Sequence, residues 1–379
     1  MKKDPICIRC VMDTTAPEIR FDAAGICSFC HFFDQQVQPI LDRACSAQAT
    51  PLLHQLVEAI RRSGQGKPYD CLLGLSGGTD SSYLAYLARE LGLRPLLVHV
   101  DTGWNTPESE ANVKNLAHSL GFDLQIIPVD WEEMCDLQIA FYKASVKNCE
   151  IPQDHGYLAA LYRKAEEIGV HYILSGGNLA TESILPRSWG FNTADLRHLK
   201  AIHRRFGKRP LRNFPTLGFW KRYVYYPFIR KIREVRLLNF VPYSRTEAKR
   251  LLQEKVGWQD YGAKHYESVL TRFFQGYYLP TKFGIDKRKA HFSSLILAGQ
   301  MSRQEALEEL KKPPYPSPQL LQQDKAYIAQ KLGLALEEWE AILAQPPREH
   351  KDFPNSEWLF QLKEKLVGWS GLRRRRYGV

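Results

Sequence analysis

The chain has 379 residues, of which 44% are hydrophobic and 25% are charged, and its formal net charge is +11. This composition is ordinary for a globular protein and leaves room for two or three domains. We expect no transmembrane segment, because no run of about 18 apolar residues occurs, and we expect a cytoplasmic protein because no secretory leader is visible. The basic charge predicts anionic partners such as nucleotides, sugar nucleotides, RNA or a membrane surface.

Four of the eight cysteines form two C-x-x-C pairs near the N-terminus, with sixteen residues between the pairs. These residues are Cys7, Cys10, Cys27 and Cys30. Four thiolates at this spacing are typical of a zinc site that holds together a segment too small to form its own core. We therefore predict a zinc-ribbon-like segment at residues 1–35, remote from the chemistry, with a redox role for the pairs as the alternative.

Short apolar runs alternate with helical patterns from about Asp70 to Gly177, which is typical of a parallel α/β sheet. Because the runs are continuous and apolar, we expect strands that are buried on both faces. The four runs lie at residues 71–75, 95–100, 124–127 and 171–174. A helix is predicted before the first strand, from Pro51 to Arg62.

Beyond about Asn178 the pattern is mainly helical, with aromatic-rich connections. Two helix starts fit the capping box, in which a hydroxyl and a carboxylate satisfy orphan amides: Ser244 with Glu247, and Ser302 with Glu305. The prolines at 313–316 predict a break before a final small helical segment. A basic tail at 373–376 ends the chain without a motif that assigns it a role.

The most informative stretch follows the first predicted strand and precedes a helical pattern. Its paired glycines allow a close approach of the backbone to a ligand, and the helix N-terminus directs N–H groups at an anion. It lacks both the Walker A ending and the G-x-G-x-x-G pattern. We predict that this loop binds nucleotide phosphates, and its members are Ser76, Gly77, Gly78, Thr79, Asp80, Ser81 and Ser82.

This loop resembles the S-G-G-x-D-S loop of the PP-loop ATP pyrophosphatases, a family that includes GMP synthetase, asparagine synthetase and tRNA thiolases. The resemblance implies a parallel-sheet domain, placed here at residues 50–200, whose loop holds the pyrophosphate that leaves ATP. Strand ends carry ligands in such sheets. The resemblance therefore adds to the nucleotide site His99, Asp101, Gly176, Gly177 and Asn178. Asp80 and Glu182 are the expected Mg²⁺ ligands, because magnesium binds through one or two carboxylates and phosphate oxygens.

A narrower resemblance joins the cysteine pairs to the loop. The pattern Cys7-Ile8-Arg9-Cys10-Val11-Met12-Asp13-Thr14, the second cysteine pair and the loop are similar to those of N-acetyl sugar amidotransferases of bacterial surface-polysaccharide (lipopolysaccharide O-antigen) synthesis. Three later stretches agree: Gly176 to Glu182, Lys264 to Ser268, and Lys282 to His291. The resemblance runs from residue 4 to about residue 312, and residues 201–379 would form a mainly helical substrate or partner region.

The resemblance implies a definite reaction. An acetamido group on a nucleotide-linked sugar, expected to be UDP-linked, becomes an acetamidino group with consumption of ATP and ammonia. No glutaminase signature is visible, so ammonia is expected from a separate glutaminase, similar to the glutaminase and cyclase pair of histidine synthesis. Nucleic acid is an unlikely partner under this hypothesis.

Cationic and titratable residues near the expected crevice supply the candidate catalytic groups, because the chemistry requires positioning and neutralisation of phosphate charge. They are Asp80, Asp154, His155, Lys282, Lys287 and Arg288. A weaker expectation attaches to Lys264, His265, Arg272 and His291.

Two other functions stay open. A tRNA thiolase would also combine the loop, zinc cysteines and basic charge, but it needs reactive cysteines near the crevice, where only Cys149 is well located and where we expect it to be inert. A non-catalytic zinc-ribbon module that only binds nucleotide is the second alternative, and detectable AMP formation would exclude it.

Overall fold

The structure, a computed structural model, describes residues 5–262 and 266–369. The roles expected of Lys264 and His265, and the basic tail at 373–376, lie outside this part of the chain. Where the chain is described, no helix has both the length and the apolar character needed to span a bilayer.

A five-stranded parallel sheet forms the centre of the fold, in the order β3-β2-β1-β4-β5. Its strands are β1 Cys71–Gly74, β2 Pro95–Asp101, β3 Leu124–Pro128, β4 Tyr172–Leu174 and β5 Arg233–Val235. The first four match the predicted apolar runs, so the parallel α/β prediction is confirmed. The edge strand β5 was not predicted, because two of its three residues, Arg233 and Glu234, are charged and resemble a surface run.

Helices surround the sheet and form most of the chain after it, which confirms the mainly helical C-terminal part. The α-helices are α1 Ser28–Phe32, α2 Gln38–Ala44, α3 Ala49–Ser63, α4 Thr79–Glu90, α5 Pro107–Leu120, α6 Trp131–Ala144, α7 Ile151–Glu167, α8 Leu179–Glu182, α9 Leu196–Phe206, α10 Arg245–Val256, α11 Val269–Phe273, α12 Leu279–Phe283, α13 Lys287–Leu297, α14 Arg303–Lys311, α15 Pro318–Lys331, α16 Leu336–Leu343 and α17 Glu357–Trp369. Wider π-helical turns occupy Phe33–Val37, Lys221–Ile229 and Phe274–Tyr278. Single 3₁₀ turns occupy Arg187–Trp189, Leu237–Phe240 and His350–Asp352.

The two predicted capping boxes have different outcomes. Ser302 and Glu305 form the reciprocal hydrogen bonds at the start of α14, as predicted. Ser244 does precede α10, but its side chain makes no capping hydrogen bond, so that prediction is wrong. Its partner Glu247 instead forms an ion pair with Arg250 one turn later, at 3.0 Å.

Side chains on the central strands alternate between two buried clusters, as expected of a sheet covered on both faces. Leu73 and Leu97 face the cluster formed with α3, α4, α5 and α10. Leu72 and Val98 face the larger cluster, which includes α6, α7 and the C-terminal helices. This second cluster also contains the N-terminal cysteines, so it draws residues from all three predicted domains, whose boundaries remain predictions.

The strand order fixes where the site lies. From β1 the chain crosses to β2 on one side and later reaches β4 on the other side, so its connections diverge between β1 and β4. In open α/β sheets a crevice forms at such a switch point, beyond the carboxyl ends of the strands. The predicted phosphate loop follows β1, and the turn 175–178 follows β4.

Candidate functional site

The phosphate loop is built on a glycine that no other residue can replace. Gly77 has φ +81°, and a Cβ there would lie 2.6 Å from the carbonyl oxygen of Ser109. The Ser109 hydroxyl donates to the carbonyl of Ser76 at 2.9 Å. The start of α5 therefore holds the loop from behind, and the loop adopts a backbone conformation that favours glycine.

Serine hydroxyls fix the rest of the loop from within. The Ser76 hydroxyl accepts the amide of Gly78 at 3.2 Å, and the Ser81 hydroxyl accepts the amide of Ser76 at 3.2 Å. Gly78 is the N-cap of α4 and supplies no side-chain cap, while the Thr79 hydroxyl is buried without a partner among the described residues. The positive end of α4 thus faces the crevice, which fits the phosphate of a nucleotide.

Residues after β2 and β4 complete the predicted nucleotide site in part. The Nδ1 of His99 donates to the carbonyl of Leu75 at 2.8 Å, and its Nε2 accepts from Asn105 at 3.0 Å, so the neutral ring is fixed in the crevice. Asp101 accepts the amide of Gly103 at 2.8 Å and is outside the crevice lining.

The turn after β4 contains the second pair of glycines. Gly176 and Gly177 line the crevice, and a Cβ on Gly176 would lie 2.9 Å from the amide nitrogen of Ser81. Asn178 is buried and caps α8 by accepting the amide of Thr181 at 2.9 Å. It therefore shapes the turn and does not line the cavity.

A cavity of about 420 Å³ opens between the two turns. Its volume lies in the range of about 300–1,000 Å³ that is typical of small-molecule sites. The charged side chains that line it are Asp80, Glu150, Asp154, Glu182, Glu267, Arg245 and Lys287. Among the described residues, five carboxylates and two cations line the cavity, and divalent metal ions would pair with these carboxylates and with the phosphates of a nucleotide.

The two expected Mg²⁺ ligands lie in this cavity. The Tyr243 hydroxyl donates to the carboxylate of Asp80. Burial raises the pKa of Tyr243, and the nearby charges of Asp80 and Glu182 raise it further. Both carboxylates therefore lie near one phenol, on the side of the cavity next to the phosphate loop.

One face of α7 lines the opposite wall, through Glu150, Gln153, Asp154 and Tyr157. Asp154 is exposed at the cavity surface. Desolvation by the surrounding protein and the charge of Glu150 raise the pKa of Asp154 to about 7, while the charge of Lys287 opposes the shift. A carboxyl group that titrates near neutrality is suited to proton transfer.

Three other candidate catalytic residues are not brought to the cavity. His155 is buried, and its two ring nitrogens bond the carbonyl of Thr193 and the amide of Leu217 at 2.7 and 3.0 Å. Burial lowers the pKa of His155 to about 4, which leaves it neutral and structural. The catalytic role expected of His155 is therefore not supported by its position.

Lys282 and Arg288 have structural contacts as well. The Lys282 ammonium donates to the carbonyl of Leu343 at 2.8 Å. The Arg288 guanidinium binds Asp286 at 2.7 Å and donates to the backbone that leads away from α14. Of the three basic residues expected from this region, only Lys287 lines the cavity.

The residues with a weaker expected role also make contacts within the protein. Arg272 forms a pair of hydrogen bonds with Asp324 at 2.8 and 2.9 Å and does not line the cavity. The Nδ1 of His291 contacts the carbonyl of Thr181 at 3.1 Å. Cys149 is fully buried, and burial raises the pKa of its thiol to about 12, so it is inert as expected.

Several cavity residues were not predicted from the sequence. The amide of Thr79 donates to the hydroxyl of Tyr261 at 3.2 Å, and the indole of Trp258 donates to the carbonyl of Gly77 at 3.0 Å. No local pattern marks these aromatic residues, because they meet the loop across about 180 positions of chain. Glu150 could have been predicted, because it lies one helical turn before the predicted residue Asp154.

The four cysteines form a separate centre. Their sulfur atoms lie within 4.8 Å of one another, with separations of 3.7 Å for Cys7 to Cys30 and 3.6 Å for Cys10 to Cys27. Zinc–sulfur bonds of about 2.3 Å give sulfur–sulfur edges of about 3.8 Å in a regular tetrahedron. All four residues are buried, none forms a disulfide, and none lines the cavity. The geometry fits a structural Zn²⁺.

Helix α13 connects this centre to the cavity. The Arg303 guanidinium of α14 donates to the carbonyls of Cys7 and Cys10, and Lys289 of α13 pairs with Asp13 at 2.5 Å. Two residues before Lys289, Lys287 faces the cavity. The cysteine segment therefore fixes the helix that supplies a cavity cation.

We predict that Gly77→Ala disrupts the loop, whereas Gly66→Ala is the matched control. Both glycines have positive φ, at +81° and +76°, but only Gly77 has a neighbour within 4 Å of an added Cβ. The control should lose about 1 kcal/mol of stability from the left-handed conformation alone. The Gly77 variant should lose more and should also lose nucleotide binding. Equal urea unfolding and nucleotide affinity of the two variants would contradict the close contact with Ser109.

We predict one Zn²⁺ per chain, lost in Cys30→Ser and retained in Cys45→Ser, because Cys45 is exposed and outside the cluster. Metal analysis of the purified variants measures the ion, and thermal unfolding measures its effect. Loss of zinc should lower the melting temperature, since the segment depends on the ion for its fold. A zinc-free protein with native stability would show that the cysteines serve another purpose.

Several known proteins are similar to parts of this chain. An uncharacterised protein of Methanocaldococcus jannaschii is 24% identical over 261 residues, which cover 66% of this chain and 76% of that protein. A tRNA(Ile)-lysidine synthase of Chlamydia pneumoniae is 30% identical over 136 residues, which cover 35% of this chain and 40% of that enzyme. The NH3-dependent NAD synthetase of Campylobacter jejuni has a TM-score of 0.31 and 14% identity, with coverage of 79% of this chain and 98% of that chain.

The C-terminal part has a match of its own, over residues 267–367. Cavity residues Glu267 and Lys287 fall inside it, together with Ser268, Thr271 and Gln275. The family model that matches there is described as the C-terminal domain of WbpG-like lipopolysaccharide (LPS) biosynthesis proteins, so this part of the chain is similar to that domain.

Proposed function

We propose that the protein is an ATP-dependent, AMP-forming amidotransferase that converts the acetamido group of a nucleotide-linked N-acetyl sugar into an acetamidino group. One observation carries this proposal. A single cavity is lined on one side by the phosphate loop and on the other by residues 267–287, which lie in the lipopolysaccharide biosynthesis domain. The proposed nucleotide site and the matched lipopolysaccharide biosynthesis domain thus line the same cavity.

The loop is the proposed site for the phosphates of ATP. Its amides and the α4 terminus would hold the pyrophosphate, and Asp80 and Glu182 would hold Mg²⁺, which neutralises phosphate charge when bound. Lys287, whose charge acts on Asp154, and Arg245, whose charge acts on Tyr243 beside the loop, offer cations for phosphorylated substrates. Catalysis by such a site depends on holding the amide oxygen in line with the α-phosphate.

The proposed chemistry converts a poor leaving group into a good one. The amide oxygen attacks the α-phosphorus of ATP, a phosphorus–oxygen bond breaks, and pyrophosphate leaves with the electron pair. The resulting carbon centre then accepts the lone pair of ammonia. The carbon–oxygen bond breaks next, and AMP departs with its electrons. Exclusion of water protects the adenylated carbon from hydrolysis.

The thiolase alternative has less support from the site. Within the described part of the chain no cysteine lines the cavity, and the thiol of Cys149 is buried. The binding-module alternative requires a loop that does not turn over ATP, and product analysis separates it from the proposal. Neither alternative explains why residues of the lipopolysaccharide biosynthesis domain line the cavity.

A separate glutaminase is the proposed ammonia source, and an exposed apolar surface supports a docking role. Its members, which we call the aromatic patch, are Trp220, Val224, Phe228 and Ile229, with exposures of 66, 40, 71 and 65%. Exposed cations, including Lys221 and Arg233, surround it, so an apolar partner face with an acidic rim is complementary. The patch helix packs against α7, where the ring centroids of Tyr226 and Tyr162 are 4.8 Å apart.

We predict that Asp80→Asn abolishes formation of AMP and pyrophosphate, lowering the rate by about 100-fold or more. Asparagine still accepts the Tyr243 hydrogen bond, so the loss would come from the missing charge. The matched control is Asp42→Asn in α2, which changes an exposed carboxylate. Chromatography of the nucleotide products after incubation with ATP, ammonium and a panel of UDP-linked N-acetyl sugars measures the effect. ADP and phosphate as the native products would refute the PP-loop mechanism.

We predict that Trp220→Ser with Phe228→Ser lowers turnover with glutamine and the cognate glutaminase, and leaves turnover with free ammonium unchanged. The reason is that the aromatic patch lies outside the cavity lining. Trp358→Ser is the control, because Trp358 is also exposed, at 59%, but lies on α17. Equal loss with both nitrogen sources would point to a folding defect, and unchanged glutamine use would exclude docking at the aromatic patch.

A further inference from the structure

The wall of the cavity formed by α7 contains two carboxylates that the phosphate chemistry does not use. Glu150 precedes α7 and Asp154 lies one turn later, with Gln153 and Tyr157 on the same face. The wall lies directly beside the strand ends. The Thr102 hydroxyl donates to Gln153 at 3.3 Å, and a Cβ on Gly74 would lie 2.1 Å from the Tyr157 hydroxyl.

Two polar groups on this wall have no partner within the described residues. Glu150 is 8% exposed, and its carboxylate, which lines the cavity, has no hydrogen bond or ion pair in this part of the chain. Gln153 is also 8% exposed, and its side-chain nitrogen is buried without an acceptor in the same part of the chain. A carboxylate that the protein leaves unpaired at the cavity surface is available to a positively charged ligand that enters the cavity.

We propose that Glu150 and Asp154 receive the nitrogen nucleophile as ammonium and act as the bases that remove its protons. This inference rests on the proposed amidotransferase function and adds the site and the residues for its second half-reaction. The Mg²⁺ candidates Asp80 and Glu182 lie by Tyr243 at the phosphate loop, whereas the charges that act on Asp154 are those of Glu150 and Lys287.

The proton balance requires two acceptors. Ammonium loses one proton to become ammonia, whose lone pair then forms the carbon–nitrogen bond. The nitrogen in the resulting adduct carries a positive charge and loses a second proton as the carbon–oxygen bond breaks and AMP leaves with the electron pair. The product is the protonated acetamidino group. Two carboxylates on one wall account for both protons without a further reactant.

The charges around Asp154 suit this role. Because the pKa of Asp154 is about 7, a large fraction of the Asp154 side chains is ionised near neutral pH and able to accept a proton. Besides Glu150 just before α7 and Lys287 on α13, the titratable groups that line the same cavity are Tyr157 on α7, His99 on β2, Asp80 on α4, Glu182 on α8, Arg245 on α10, and Tyr261 and Glu267 before α11. The charge of Glu150 raises the pKa of Asp154 and that of Lys287 lowers it.

The test separates the two half-reactions with Glu150→Gln, Asp154→Asn and the double variant. Glu167→Gln at the other end of α7 is the control, because Glu167 is exposed and pairs with Lys164. With ATP, sugar nucleotide and ammonium, we expect the variants to keep forming AMP while the acetamidino product falls by about 100-fold. The KM for ammonium should rise, and more AMP should be released per product molecule.

The pH profile gives a second readout. The wild-type rate at fixed total ammonium should rise up to about pH 7 and then level off, since Asp154 must be ionised to accept a proton. The Asp154→Asn variant should instead follow free ammonia and increase about tenfold per pH unit below pH 9. An unchanged profile in the variant would overturn the assignment of Asp154 as a base.

Binding measurements make the proposal independent of turnover. Ammonium labelled with nitrogen-15, followed by NMR line broadening, should bind more weakly to the double variant than to the Glu167→Gln control. Mg²⁺ binding by calorimetry should be the same in both. Loss of Mg²⁺ binding, or loss of AMP formation in parallel with the product, would overturn the proposal and assign the pair to the first half-reaction. If the wild type forms no AMP, the proposed function itself fails.

Discussion

The site depends on one close contact between backbones at the switch point of the sheet. The turn after β4 runs so close to the first turn of α4 that a Cβ on Gly176 would lie 2.9 Å from the amide of Ser81. Gly77 makes the corresponding approach to α5 on the other side of the loop. Because both glycines lack a side chain, the phosphate loop, the β4 turn and two helices can share one small volume.

Among the described residues, the charges that line the cavity beyond this contact are mainly negative, five carboxylates and two cations. The protein as a whole carries a formal net charge of +11, which attracts anionic nucleotides over distance. This contrast is physically consistent with substrates that arrive as anions and react with metal ions and a positively charged nitrogen source. The carboxylates also divide by position, into those near the phosphate loop and those on α7.

The N-terminal cysteines and the C-terminal helices act together in placing a cavity cation. Helix α13 has Lys287 at the cavity, Lys289 on Asp13 of the cysteine segment and His291 on the carbonyl of Thr181 next to α8. Three distant parts of the chain therefore meet on one helix of eleven residues. The four-cysteine centre is thus coupled to the site through packing, without direct contact with the cavity.

The sequence alone determined the four central strands, the phosphate loop and the cysteine centre, because each rests on local patterns such as continuous apolar runs, paired glycines and C-x-x-C spacing. Tertiary structure decided which polar residues face the cavity. Asp154 and His155 are neighbours in sequence, yet the helix directs the first into the cavity and the second into the core. Tyr261 and Arg245 reach the loop from distant segments of the chain. The edge strand β5 has a charged sequence and becomes a strand because it pairs with β4. Such contacts follow from the packing of whole elements, which one segment of sequence does not encode.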